Sequence, residues 1–446
     1  MYGQTSADSD TTGTAFARKQ LEKSRKNRQQ FEAVLAHFDG NHESARDSIH
    51  RLRIVEKEKE AQIRIKSYKN NNRLDTLNEI DLSHGRLSAI PDFVFRATSV
   101  ERLVLDYNDL KKLPGKLKKL KSLKKLDWSH IQVAHKKAKI PKLKSLERLD
   151  LSENAFSKLA NLKKLKSLNT LELSANNFTA IPVRSLQGNS KLENLILDTN
   201  KQLEIGAMNY GAISNLKVLK LSSCDLTTID ESLYSMTSLE ELQLPENQLK
   251  SIPGGISNLQ ALKILSFYKN ELTTLPADFY RLQNLRIIDL YYNHLQKLDT
   301  AISLLQNLEI LYLSNNDIYD VPAQIGRLPK LRELYLAFNK LTAIPELKEL
   351  GTLKVLRIDH NTLYEFPEDL LYLTHLTYLD FSSNQITRIP PGLDTSYPEM
   401  QLLYFRENPI DFDTPQNQYI APMIFEMSQR GVVCSPSFSA HDQGPH

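Results

Sequence analysis

The sequence predicts an α/β solenoid, a curved horseshoe of short parallel strands with a helical segment at its N-terminal end. Three observations predict it. One apolar pattern recurs along about three-quarters of the 446 residues. Inside each copy the apolar residues alternate with period two, which is the geometry of a strand with one buried face. A polar residue, nearly always asparagine, then follows at a fixed offset.

The windows from Leu262, Leu285 and Leu308 read LKILSFYKNELTTLP, LRIIDLYYNHLQKLD and LEILYLSNNDIYDVP. They share the frame L-x-x-L-x-L-x-x-N-x-L. Fifteen units keep this register, beginning at Leu77, Val100, Leu123, Leu146, Leu168, Leu192, Leu216, Leu239, Leu262, Leu285, Leu308, Leu331, Leu353, Leu376 and Met400. Nine of the fourteen spacings are 23 residues, and the rest are 22 or 24. The asparagine position departs from Asn only at Gly85, Ile131 and Cys224.

This pattern resembles the leucine-rich repeat family. The 23-residue spacing with Ile-Pro is similar to the class found in intracellular Ras-pathway and cell-polarity scaffolds and in bacterial leucine-rich repeat proteins. The resemblance implies a parallel sheet on the concave face and a role in binding other proteins.

The residues support the same architecture independently. Stacked strands lie about 4.8 Å apart, so fifteen give an inner arc of roughly 70 Å. A buried Asn offers two donors and an acceptor to the backbone groups freed where each strand ends. A proline lacks an N–H and suits the exit from the sheet. One repeat cannot bury its own leucines, so stability accumulates between neighbours and the ends need covers.

The chain divides into a disordered tail at 1–14, a helical cap or arm at 15–70, the solenoid at 77–410, and a C-terminal cap with a disordered tail at 411–446. Phe31, Val34, Leu35 and Phe38 fall on one helical face. The DGN at Asp39 to Asn41 breaks that helix, and Ile49, Leu52 and Val55 carry a second amphipathic stretch. Such a pair either covers the first repeat or binds a partner. Near the other end, Ile420, Met423, Ile424 and Met427 share one side of a helix opened by Pro415 or Pro422 and ended by Gly431.

Function in such a frame belongs to positions three, five, seven and eight of each repeat, which face away from the leucine core. In the early repeats the fifth and seventh positions are small or acidic, as in Asp127 with Ser129 and Asp150 with Ser152. From the ninth repeat they turn aromatic and apolar: Ile264 and Tyr268, then Ile287, Tyr291 and Tyr292, then Ile310 and Tyr312, then Tyr335 and Phe338. Arg357 and His360 border them. These eleven residues are the candidate partner-binding site. Solvated surfaces rarely gather aromatics this way, and tyrosine combines contact area with a polar tip. Stacking that only stiffens the sheet is the competing explanation.

Charge points elsewhere. Lys111 to Lys166 holds seventeen Lys and one Arg against four acids, a net +14 in a chain of net +4. The rest of the chain therefore carries −10. These lysines fall mainly on the outer side, either as a solvated cover or as a surface for an anionic membrane or acidic partner.

No phosphate loop, nucleophile elbow, zinc-protease motif or metal-spaced Cys/His pattern occurs. The thirty or so residues beyond the last repeat are too few for a catalytic domain such as the ubiquitin ligases that follow the repeats in some bacterial relatives. The expectation is a non-enzymatic scaffold for a protein or peptide ligand, without cofactor, metal or nucleic acid. Two cysteines make no disulfide framework, and Cys224, in the asparagine column, reads as a structural thiol. The polar N-terminus and this cysteine usage point to the cytoplasm, or to the cell surface if a leader has been removed. The Asn177-Phe178-Thr179 sequon is expected by chance in a chain of this length.

Overall fold

The computed structural model describes residues 42–131 and 137–434, with side chains from residue 50 onward. The Phe31 to Phe38 segment and both terminal tails lie outside the described residues.

A sixteen-stranded parallel sheet runs through the molecule, each strand paired with those of the repeats before and after it. Every one of the fifteen repeats contributes one three-residue strand, at its third to fifth positions, such as Ile264–Ser266, Ile287–Asp289 and Ile310–Tyr312. Leucines in the first, fourth and sixth positions point inward: Leu285, Ile288 and Leu290 of the tenth repeat are all buried. The outer side is closed by short 3-10 turns, for example Ala277–Arg281 and Thr300–Leu304. The twelfth repeat has 22 residues and no such turn among its described elements. Its backbone instead approaches the turn before it, where a Cβ on Gly326 would lie 2.9 Å from the Glu346 carbonyl.

The asparagines tie each repeat to the one before. Asn316 accepts from Leu295 N–H and donates to the carbonyls of Leu290, Leu313 and Ser314 at 2.9 to 3.3 Å. The same four contacts recur at Asn247, Asn270 and Asn339. Just before each asparagine-column residue the backbone is left-handed. All fifteen eighth-position residues, from His84 to Glu407, have φ between +48° and +60°, and none is glycine. Ladder geometry overrides a local preference that costs an ordinary L-residue about 1–2 kcal/mol. Cys224 occupies its asparagine position fully buried, with Sγ reaching the carbonyls of Leu197 and Ser222. Burial pushes its thiol up to about 11, so it serves as packing rather than as a nucleophile.

At the N-terminal edge the chain forms one helix, His42–Asn70. Its second half meets the backbone groups that an edge strand leaves open. Arg64 donates to the carbonyls of Asp81 and Ser83, Gln62 donates to Gly85, and Tyr68 accepts from Asp81 N–H. Gly85 replaces asparagine because no earlier repeat exists for an amide to bridge. A Cβ there would sit 2.7 Å from Ile65. The packing face is Ala61, Ile65 and Tyr68, not the Leu52 and Val55 stretch that the sequence suggests. Leu52 and Val55 remain exposed, because the first repeat reaches the helix only from about Glu58 onward.

The C-terminal helix is Ile420–Gln429, with Ile420, Met423 and Met427 buried. Gly431 ends it at φ +82°, and Val432 N–H returns to the Met427 carbonyl. The chain then adds a sixteenth strand, Val433–Cys434, which the sequence pattern does not suggest.

Candidate functional site

The candidate residues occupy one face of the sheet, and strand register decides which of them meet. Ile264, Ile287 and Ile310 stand side by side in the third column, each half-buried. Tyr312 and Tyr335 are paired in the fifth column and stack at 4.7 Å, and Arg357 and Asp380 continue the row. Tyr268 and Tyr291 stack at 5.6 Å in the seventh column, with Tyr292 edge-on to Tyr291 at 4.5 Å. Phe338 and His360 stack at 3.9 Å in the eighth. The rings therefore form three groups rather than one continuous cluster.

The groups differ in exposure, and that sorts contact from support. Tyr291, Tyr312 and Tyr335 lie half-sunk along the strands. Burial pushes the Tyr291 phenol up to about 12 and raises those of Tyr312 and Tyr335. Tyr335 also donates to Glu333 at 2.8 Å. Tyr292 and Phe338 stand out from the left-handed eighth position, 46% and 44% exposed. Two further tyrosines, Tyr319 and Tyr364, are 54% and 62% exposed in the twelfth column of repeats eleven and thirteen. Reading only the strand columns missed them, although the repeat period places both beyond the same strand ends. The aromatic surface thus runs off the strand face and over its edge.

A charged cluster closes the patch on the C-terminal side. Arg357 donates twice to the almost fully buried Asp359, at 3.1 and 3.2 Å. Although burial works against its charge, Asp359 holds the guanidinium above its usual value. His360 lies 2.9 Å from the same carboxylate, which raises the imidazole. Burial, then Asp359, pushes Asp380 up to about 6. Arg357 is thus already engaged and acts as a fixed wall.

The early repeats carry a ring stack of their own. His84, Tyr107 and His130, all in the eighth column, stack at 4.3 and 4.1 Å. Beside them Asp127 and Asp150 accept from Ser129 and Ser152 two residues on, through both backbone and hydroxyl. Asp81, Asp289 and Asp380 accept the backbone N–H two residues on in the same way. The fifth-column carboxylates therefore close the strand end.

Among the described residues no three His, Cys, Asp or Glu side chains are grouped to hold a metal. Two depressions lie off the tyrosine columns, one at Lys263, Arg286 and Glu309, the other at Arg388 and Asn417. An open aromatic face suits a macromolecular partner better than a small ligand, which needs enclosure.

The model described as a leucine rich repeat matches residues 75–133, 237–295 and 283–341. A BspA type leucine rich repeat region matches 136–256, and a further leucine rich repeat model matches 372–388. Among solved structures, a leucine-rich repeat protein of Leptospira interrogans matches with a TM-score of 0.69 at 26% identity, covering 83% of this chain and 98% of that one. An internalin of Listeria monocytogenes matches with a TM-score of 0.56 at 20% identity, covering 76% and 93%. The Toll–Spatzle complex of Drosophila contains a chain matching with a TM-score of 0.60 at 18% identity, covering 77% and 51%. The last two share the fold. No curated protein matches the chain.

Proposed function

This chain belongs to the leucine-rich repeat family, and on that premise we propose that it is a non-enzymatic scaffold for a protein or peptide ligand. The ligand lies across repeats nine to thirteen, over Tyr268, Tyr291, Tyr292, Tyr312, Tyr335 and Phe338. One observation carries this reading: exposed aromatics gather where a solvated sheet would be polar, and they extend past the strand edge to Tyr319 and Tyr364. The half-sunk rings set the shape of the face. Tyr292 and Phe338 present area that only a partner covers. Asp289, Glu333 and Asp380 outnumber Arg357 on this face, which favours a ligand segment carrying positive charge. The two free thiols support a cytoplasmic setting.

The test removes the exposed rings without disturbing the frame. Asparagine tolerates the left-handed backbone better than an aromatic residue does. Tyr292→Asn with Phe338→Asn is therefore expected to lose no more than about 1 kcal/mol of folding stability. A photocrosslinking pull-down from native lysate should recover a partner with wild type, joined within repeats nine to thirteen, and lose it with the double variant. Recovery of the same partners by both proteins would make the rings part of the scaffold only.

A further inference from the structure

The outer halves of repeats two to four form a second, separate surface. From the twelfth position to the end of the turn, these three repeats contain no acidic residue. Fourteen described lysines stand there, all exposed. Only Lys116 among them has an ion pair, to Asp92. The acids of the same repeats, including Asp127, Asp150 and Glu153, all sit on the strand side. The outer side is thus wholly cationic, while the strand side mixes these acids with Arg102, Lys124, Lys125 and Arg148.

Two features set this surface apart from a solvated cover. On the strand side, lysines pair with acids of the neighbouring repeat, as in Lys124 with Glu101 between repeats three and two and Lys217 with Glu193. The outer halves of repeats two to four hold no acid of their own for such a pair. In addition, a small outer sheet pairs Lys137–Ala138 with Lys158–Leu159, so that Lys137 and Lys158 stand directly opposite each other. Like charges so placed repel unless an anion lies between or over them.

We propose that this face docks the protein on an anionic phospholipid bilayer. The chemistry favours a bilayer over other polyanions. The cations are lysines, which bind phosphate as flexible point charges, with no arginine fork to fix one geometry. The outer halves of these repeats hold no described aromatic ring for stacking a nucleic-acid base, and the exposed Tyr107 of repeat two stands in the eighth column on the strand side. The patch spans three repeats, which suits a diffuse layer of headgroups. The outer sheet lies about half a coil from the strand face, so the docked protein would keep its tyrosine face turned toward solution and a partner.

Flotation of the full chain with phosphatidylcholine vesicles, with and without phosphatidylglycerol, tests this. Binding is expected only with phosphatidylglycerol, and it should fade as salt shortens the Debye length. Each lysine neutralised should weaken binding about fivefold, so Lys137→Gln with Lys158→Gln should lose roughly 25-fold while melting like wild type. Tyr292→Asn with Phe338→Asn should bind vesicles unchanged, which separates this surface from the ligand face. Failure to float with anionic vesicles at low salt, equal binding to neutral ones, or an unaffected lysine variant would each overturn the proposal. So would tighter binding to duplex DNA, or to an acidic polypeptide, than to the vesicles at equal salt.

Discussion

Repeats two to six and repeats nine to fourteen share one frame and carry opposite surfaces. In both, a leucine ladder is buried and the eighth residue is left-handed. In both, an asparagine bridges to the repeat before, as at Asn154 and Asn176 early and Asn293 and Asn339 late. In the first region the outward columns hold carboxylates closed onto their own serines, and lysines fill the outer side of repeats two to four. In the second the columns hold tyrosines, isoleucines and one buried arginine cluster. Most of the frame's energetics lie in contacts between buried neighbours, so the outward columns change without altering the fold.

The strongest way to break this comparison is to cut the frame in each region. Leu290→Ala and Leu149→Ala each remove a fully buried side chain. Each is expected to destabilise by roughly 2–5 kcal/mol, measured by urea denaturation. Similar losses would mean one frame serves both surfaces. A late-region loss several kcal/mol larger would mean that the stacked tyrosines carry stability as well, and the two regions would not be comparable.

Next comes the charge cluster, which differs from the early Asp106, likewise pushed up to about 6 by burial and then Asp127, in holding Arg357 and His360 against a buried carboxylate. The Asp380 carboxyl titrates at about 6, raised chiefly by burial and then by Asp359. A group raised on folding contributes its stability below its unfolded value and loses it as pH climbs through the folded one. Wild type should therefore lose stability relative to Asp380→Asn between about pH 4 and pH 7. The difference should reach roughly 1–3 kcal/mol, since a tenfold change in proton affinity on folding is worth about 1.4 kcal/mol. His360, raised by its hydrogen bond to Asp359, loses stability only above its ordinary value of 6.5, and does so in both proteins. Parallel melting curves for the two proteins across that range would remove the electrostatic distinction between the regions.

How much of this was legible in the sequence follows from what sets each feature. The strand of every repeat was readable because a period-two pattern recurs in register, with an asparagine at a fixed offset. The left-handed eighth position was not. Its occupants, among them His84, Ala175, Tyr292 and Phe338, share no propensity for that backbone, which the ladder imposes. The packing face of the N-terminal helix was misread because apolar spacing cannot say where the first repeat begins to cover it. Val433–Cys434 was invisible, since a strand of two residues carries no pattern. The tyrosine columns were readable as a face, but their split into sunken and projecting rings depends on which column each ring leaves.

The smallest effect sharpens the comparison most finely, because it isolates what the late region adds at a single backbone position. Ala175 and Phe338 share the same left-handed conformation, at φ +51° and +53°. Glycine at either site relieves that strain at the expense of a more flexible unfolded chain. Ala175→Gly should therefore gain up to about 1 kcal/mol. Phe338→Gly receives the same relief but gives up the stack on His360, worth roughly 0.5–1.5 kcal/mol. It should come out near neutral or slightly destabilised. The gap between the two melting shifts measures the contribution of that stack to folding. A gap near zero would leave the Phe338 ring without a folding role, and a partner would be the remaining reason for an exposed aromatic ring on a backbone that disfavours it.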